Sequence, residues 1–217
     1  MTDPTPPVAP AGAASTRDRL LDTAAQLFYE QGVHIGVDTL CKAAGVSKRS
    51  MYKLFDSKDE LVAASLERIA PDYQAALLPA DDVGSPRRRI LHVFERLEAL
   101  EPVQDFRGCP YVAAAVQLKS PEHPASSIAR RQKDGLTSFF QYEAERGGAH
   151  DPGLLARQLT LVFDGASARS VVQAHSLDGL AIATATTLLA AAGVGDSLPT
   201  DGFAQNATSS ENIDADR

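Results

Sequence analysis

Four prolines constrain the architecture of this chain more than any other feature. Pro86, Pro110, Pro124 and Pro152 follow Ser85, Cys109, His123 and Asp151, and each opens a run with apolar residues at three- and four-residue spacing. A proline at the first helical position loses no hydrogen bond, because the N–H there has no intrahelical partner. Ser57 with Glu60 makes a capping-box pattern, and Ser15 or Thr16 opens an earlier helix. Gly32, Gly147 and Gly193 stand where helices should stop. No stretch alternates apolar and polar residues for long enough to argue a strand. The pattern predicts helices at 16–31, 39–45, 48–55, 58–78, 86–100, 110–118, 124–146, 152–174 and 177–192, and an all-α fold. Pro71 falls inside the fourth and is expected to kink or break it.

The ends read differently. Residues 1–15, "MTDPTPPVAPAGAAS", are too rich in Pro and Ala to build a core and are expected to form a disordered arm. Residues 194–217 are polar and read as a disordered tail. The early Asp3 and the lack of a basic start before an apolar core argue against a secretion signal, and no run of about 18 uncharged apolar residues suggests a membrane span. Cys41 and Cys109 make no disulfide framework and suit a reducing cytoplasm, where the protein is expected to reside.

Charge singles out one segment. Residues 42–58 hold Lys42, Lys48, Arg49, Lys53 and Lys58 against Asp56 alone, inside a chain of net charge −7. A small basic module on an acidic body fits a polyanion-binding head. The segment reads as a helix, a tight turn at Gly45 plugged by Val46, and a second helix capped by Ser47. In that second helix Met51, Leu54 and Phe55 face inward, which leaves Lys48, Arg49, Ser50, Tyr52 and Lys53 outside. Long donors near a helix start fit a DNA major groove, where Lys or Arg reaches guanine O6 and N7. Tyr52 and Lys58 are suited to clamp the sugar–phosphate backbone.

With Thr39, Leu40, Ala44-Gly45-Val46-Ser47, Tyr52, Phe55, Lys58 and Leu61 in register, this segment resembles the DNA-binding domain of the tetracycline-repressor (TetR) family. Ala24, Ala25, Leu27, Phe28 and Gly32 in the preceding helix extend the resemblance over residues 16–62. Cys41 stands where the family usually has Ala, and Arg49 where many members have a small residue that commonly faces the bases. The resemblance implies a helix-turn-helix head at 16–62 that binds double-stranded, palindromic operator DNA through Thr39, Ser47, Lys48, Arg49, Ser50, Tyr52, Lys53 and Lys58. It further implies an effector-binding and dimerisation body at 63–193.

Helices 152–174 and 177–192 are apolar around most of their girth and need partners on several faces. The resemblance makes them a four-helix dimer interface, with Leu155, Leu159, Val162, Ala166 and Leu188 in it. The middle helices are then expected to enclose an unknown small, largely apolar effector. Its walls would be Phe94, Leu97, Phe106, Arg107, Tyr111, Phe139, Phe140 and Phe163, with Tyr142 beside them and His123, Gln141 and Asp164 as further polar contacts. The function expected is a homodimeric repressor released from its operator by that effector. The alternative is a DNA-binding regulator without one: an activator, a protein controlled by a partner, or a thiol redox sensor.

Catalysis has little to rest on. Cys109 and His123 could be drawn as nucleophile and base, yet nothing in sequence orients them, and a buried structural Cys is the better reading. The five histidines show no metal-ligand spacing, and no glycine-rich phosphate loop occurs. No enzyme, metal or cofactor is expected.

Overall fold

The computed structural model describes residues 15–80, 84–100, 106–173 and 175–195. Among these residues the chain is all-α, with α1 (Thr16–Gln31), α2 (Val37–Ala44), α3 (Lys48–Leu54), α4 (Lys58–Leu77), α5 (Pro86–Leu100), α6 (Pro110–Leu118), α7 (Pro124–Arg146), α8 (Pro152–Gln173) and α9 (Leu180–Ala191). The expected arm and nearly all of the expected tail lie outside the described residues. Val194, counted with the tail, instead packs into the core and closes α9 by donating its N–H to the Leu189 carbonyl at 2.9 Å.

The caps explain where helices begin. Ser15, Ser47 and Ser57 each accept a backbone N–H three residues on, from Asp18, Ser50 and Glu60 at 3.0 Å. Glu60 reaches back to the N–H of Asp56 at 2.6 Å, one residue earlier than a standard capping box. His123 caps α7 by accepting the Ala125 N–H on its Nδ1 at 3.0 Å, and Asp151 accepts the Leu154 N–H at 2.9 Å. At Pro71 the structure differs from expectation: α4 runs through it unbroken. Pro71 and Glu67, whose carbonyl loses its donor, are both exposed, so the lost bond falls on the side of the helix that solvent reaches.

One continuous hydrophobic core runs from Leu20 and Met51 at one end to Phe163 and Leu189 at the other. Helix α1 packs on α2, α4 and α6; α7 packs on α4, α5, α6 and α8; and α9 lies against α5 and α8. The 62/63 division between head and body therefore falls inside α4.

Two carboxylates, one buried and one half-buried, tie the body together. Glu143 on α7, fully buried, accepts Arg89 Nε from α5 and Arg146 Nη1 from its own helix, both at 2.7 Å. Glu98 on α5 caps α9, whose own first position, Gly179, has no side chain to do so. Its carboxylate accepts the N–H groups of Gly179 at 2.8 Å, Ala181 at 3.0 Å and Ile182 at 3.1 Å. Charge-assisted bonds to a helix N-terminus are the stronger kind. Glu98→Ala is expected to destabilise the protein by about 1–3 kcal/mol, read as a lower urea midpoint, with Glu98→Gln losing only part of that.

Candidate nucleic-acid interface and the seam behind it

The turn between α2 and α3 sets the geometry. Gly45 adopts the left-handed conformation (φ 64°, ψ 36°), which costs glycine no Cβ clash. Val46 N–H then closes the turn on the Cys41 carbonyl at 2.9 Å. Leu40, Cys41 and Ala44 of α2 and Met51 of α3 are buried, with Phe55 behind them. The Cys41 thiol is pushed up by burial, so it stays protonated and serves as packing.

This packing fixes which side chains face out. Thr39, Ser47, Lys48, Arg49, Tyr52 and Lys53 are exposed, and Ser50 and Lys58 are half-buried. Tyr52 presents 51% of its surface. The cations are not equivalent. Lys48 Nζ lies 2.7 Å from Asp38 Oδ1, and that carboxylate holds the ammonium above its ordinary pKa. Arg49 and Lys53 form no ion pair among the described residues. The guanidinium nearest the helix start is thus free to bond, whereas Lys48 must first leave Asp38. Sequence reading missed the Asp38 pair because it began this helix at residue 39, whereas α2 begins at Val37 and includes Asp38.

Behind this face, Arg68 of α4 pairs with Asp18 and Asp22 of α1, and hydrogen bonds tie α1 and the residues after it to α6 and the segment before it. The Tyr29 hydroxyl donates to the Gly108 carbonyl at 3.1 Å and accepts the Arg107 N–H at 2.8 Å. Past the end of α1, Val33 N–H donates to Gln117 Oε1 of α6 at 2.9 Å. A cavity of about 540 Å³ opens along this seam. Its walls are Asp22, Ala25, Gln26 and Tyr29 of α1, Ile69, Tyr73 and Ala76 of α4, Leu100 of α5, and Phe106, Gly108 and Pro110 before and at the start of α6. A second cavity of about 110 Å³ lies between α4, α6, α7 and α8, with Cys109, Tyr111, Lys133 and Phe163 among its walls. Burial pushes the Tyr73 and Tyr111 phenols well up, so both remain neutral donors.

The expected pocket residues are dispersed over these features. Phe106 lines the larger cavity, and Tyr111 and Phe163 the smaller. Phe94, Leu97 and Phe140 are solid core, the two phenyl rings stacked with centroids 5.7 Å apart. Phe139 packs partly buried beneath the Arg89 guanidinium. Arg107 bonds Tyr29 through its backbone, while its exposed guanidinium reaches the Phe106 carbonyl. Tyr142 is exposed, Gln141 bonds Glu145 on the same helix, and Asp164 pairs with Lys133. The seam escaped sequence reading because α1 was assigned wholly to the head.

On the far side, Leu155, Leu159 and Ala166 of α8 are buried within the protomer, and Val162 and Leu188 are half-buried. The outward stripe is offset from them. Leu161 is 73% and Val172 77% exposed, with Leu154 and Leu180 also open. Gly165, Ala168 and Ala183 lie between them, exposed and small enough to let another helix approach. Apolar side chains gathered on one open face make a candidate contact surface. Periodicity could not choose between the faces, because α8 is apolar on both.

Among the described residues no His, Cys, Asp or Glu group could hold a metal ion, and no helix is long and apolar enough to cross a membrane. Residues 20–65 match the family model for bacterial regulatory proteins of the TetR family. HTH-type transcriptional regulator YjdC of Escherichia coli is 21% identical over 165 residues, 75% of this chain and 86% of its own. The crystal structure of reduced E. coli NemR aligns with TM-score 0.70 and 25% identity, covering 79% of this chain and 95% of that one. A TetR-type transcriptional regulator from Streptomyces avermitilis is 59% identical, with TM-score 0.81, and the alignment covers 84% of this chain and all of that one. With a basic helix-turn-helix presented by an all-helical body, and with these relatives, the chain belongs to the TetR family of DNA-binding transcriptional regulators, which are not enzymes.

Proposed function

We propose that the protein is a homodimeric, ligand-responsive repressor of the cytoplasm, released from a palindromic operator by a small, largely apolar effector. The observation that carries this reading is the pairing of two surfaces. The exposed donors of α3 suit a major groove, and the apolar stripe of α8 and α9 suits a second copy. A two-fold dimer would present both α3 helices to half-sites roughly 34–36 Å apart, or a multiple of that spacing.

The test is a titration of labelled duplexes from the DNA flanking the protein's own gene, across a salt series, beside sedimentation at low micromolar protein. A dimer is expected, with log K falling by about 0.9 per neutralised phosphate per decade of salt. Leu161→Asp should yield monomers with native helical content that no longer hold the operator. A monomeric parent that binds a palindrome tightly, or binding without a salt slope, would overturn the reading.

A further inference from the structure

We propose that the cavity between α1 and the body is the effector's seat, and that Tyr29 carries its occupancy to the DNA-binding head. The proposal rests on the ligand-responsive reading above and replaces the pocket expected among the middle helices. At about 540 Å³ the seam cavity lies within the roughly 300–1,000 Å³ that drug-sized ligands occupy, whereas the second cavity at about 110 Å³ is too small. Ile69, Ala76, Leu100, Phe106 and Pro110 make its walls apolar. Among the described residues its one charged lining residue, Asp22, is already paired with Arg68 at 3.0 Å. A ligand bearing its own charge would lose hydration there without a free counter-charge. The occupant is therefore a neutral, ring-sized apolar molecule with at most a few hydrogen-bonding atoms, for which Gln26 and the Tyr73 phenol supply partners.

What sets this cavity apart is that the first helix of the head is one of its walls. Tyr29 lines it while its hydroxyl holds both Arg107 and Gly108. Gly108 adopts φ 81° and packs so closely on α8 that a Cβ there would lie 3.0 Å from the Ser167 carbonyl oxygen. The 106–109 segment thus has α8 behind it and α1 in front. A molecule seated beside Tyr29 touches both the ring and the segment, so its binding favours whichever setting of α1 against the body fits it best.

The experiment uses the full chain and N-phenyl-1-naphthylamine, a neutral apolar dye that brightens on burial, with operator binding read separately by anisotropy. Ala25→Phe on α1 and Ala76→Phe on α4, which both fill the cavity, should each weaken dye binding by roughly tenfold or more. Gly135→Leu, in the smaller cavity, should change it less than about twofold. Circular dichroism confirms that each variant is folded. Saturating dye should weaken operator binding of the parent by about fivefold or more, and Tyr29→Phe, compared at its own dye saturation, should lose most of that coupling. Failure of the dye to bind, or equal binding by both filled variants, overturns the site. An operator affinity that dye leaves unmoved in the parent overturns the coupling. If another lipophilic compound releases operator from parent and filled variants alike, the ligand-responsive reading stands and this seat for it falls. If the chain binds no operator at all, the underlying reading fails first.

Discussion

Replacing Glu143 with alanine is expected to cost the fold about 3–5 kcal/mol. The carboxylate is fully buried and neutralises Arg89, itself nearly buried, while also holding Arg146. Truncation removes the Glu143 carboxylate from beside a guanidinium that stays in the core, bonded to the Ala80 carbonyl at 2.6 Å. Only part of the loss should return in Glu143→Gln, which restores an acceptor and not the charge. Pairing Glu143→Leu with Arg89→Met should recover much of the stability, because a buried ion pair can be exchanged for apolar packing at small net cost. Urea unfolding of the four proteins measures this. A Glu143→Ala midpoint equal to the parent's would show that solvent reaches the pair.

Arg49→Ala is expected to cut operator affinity by about 2–6 kcal/mol for a dimer, roughly 1–3 kcal/mol for each of two base contacts. The loss should fall on the operator and spare random DNA, since a base contact carries sequence information and a phosphate contact does not. Lys48→Ala should cost less, because reaching DNA already requires Lys48 to give up Asp38. Asp38→Asn separates the two: it frees the ammonium and should strengthen binding to any duplex while steepening the salt dependence. Fluorescence anisotropy against operator and scrambled duplexes checks all three. Equal losses on both duplexes for Arg49→Ala would make it a phosphate contact.

How much of this was written in local sequence depends on whether a side chain's role is local. Pro86, Pro110, Pro124 and Pro152 marked their helices because a first-turn proline needs only its own backbone. Gly45-Val46-Ser47 marked the turn for the same reason, and the outward set around Arg49 followed once Met51 and Phe55 faced in. Pro71 misled, since its cost depends on whether the freed carbonyl faces solvent. Glu98 caps a helix more than eighty residues away, and Tyr29 bonds a loop nearly as distant. Neither partnership has a periodicity. Phe94 and Phe140 were assigned to a pocket because an aromatic ring in a core and one lining a cavity give the same pattern. On α8 the reverse ambiguity held: Leu155 is covered within the protomer and Leu161 is exposed, and the helix sequence records only that both are leucine.

The bonds from Tyr29 to residues 107 and 108, and from Val33 to Gln117, also limit how interchangeable the head can be. Exchanging residues 16–62 for those of another regulator, to redirect the protein to a new operator, would cut through α4 and replace α1 while leaving its partners behind. A graft lacking the phenol or a residue compatible with Gln117 should still bind its own operator yet answer no effector. A working chimera must therefore carry matched positions on both sides of the joint, and the recognition helix alone is the smaller, safer unit to transplant.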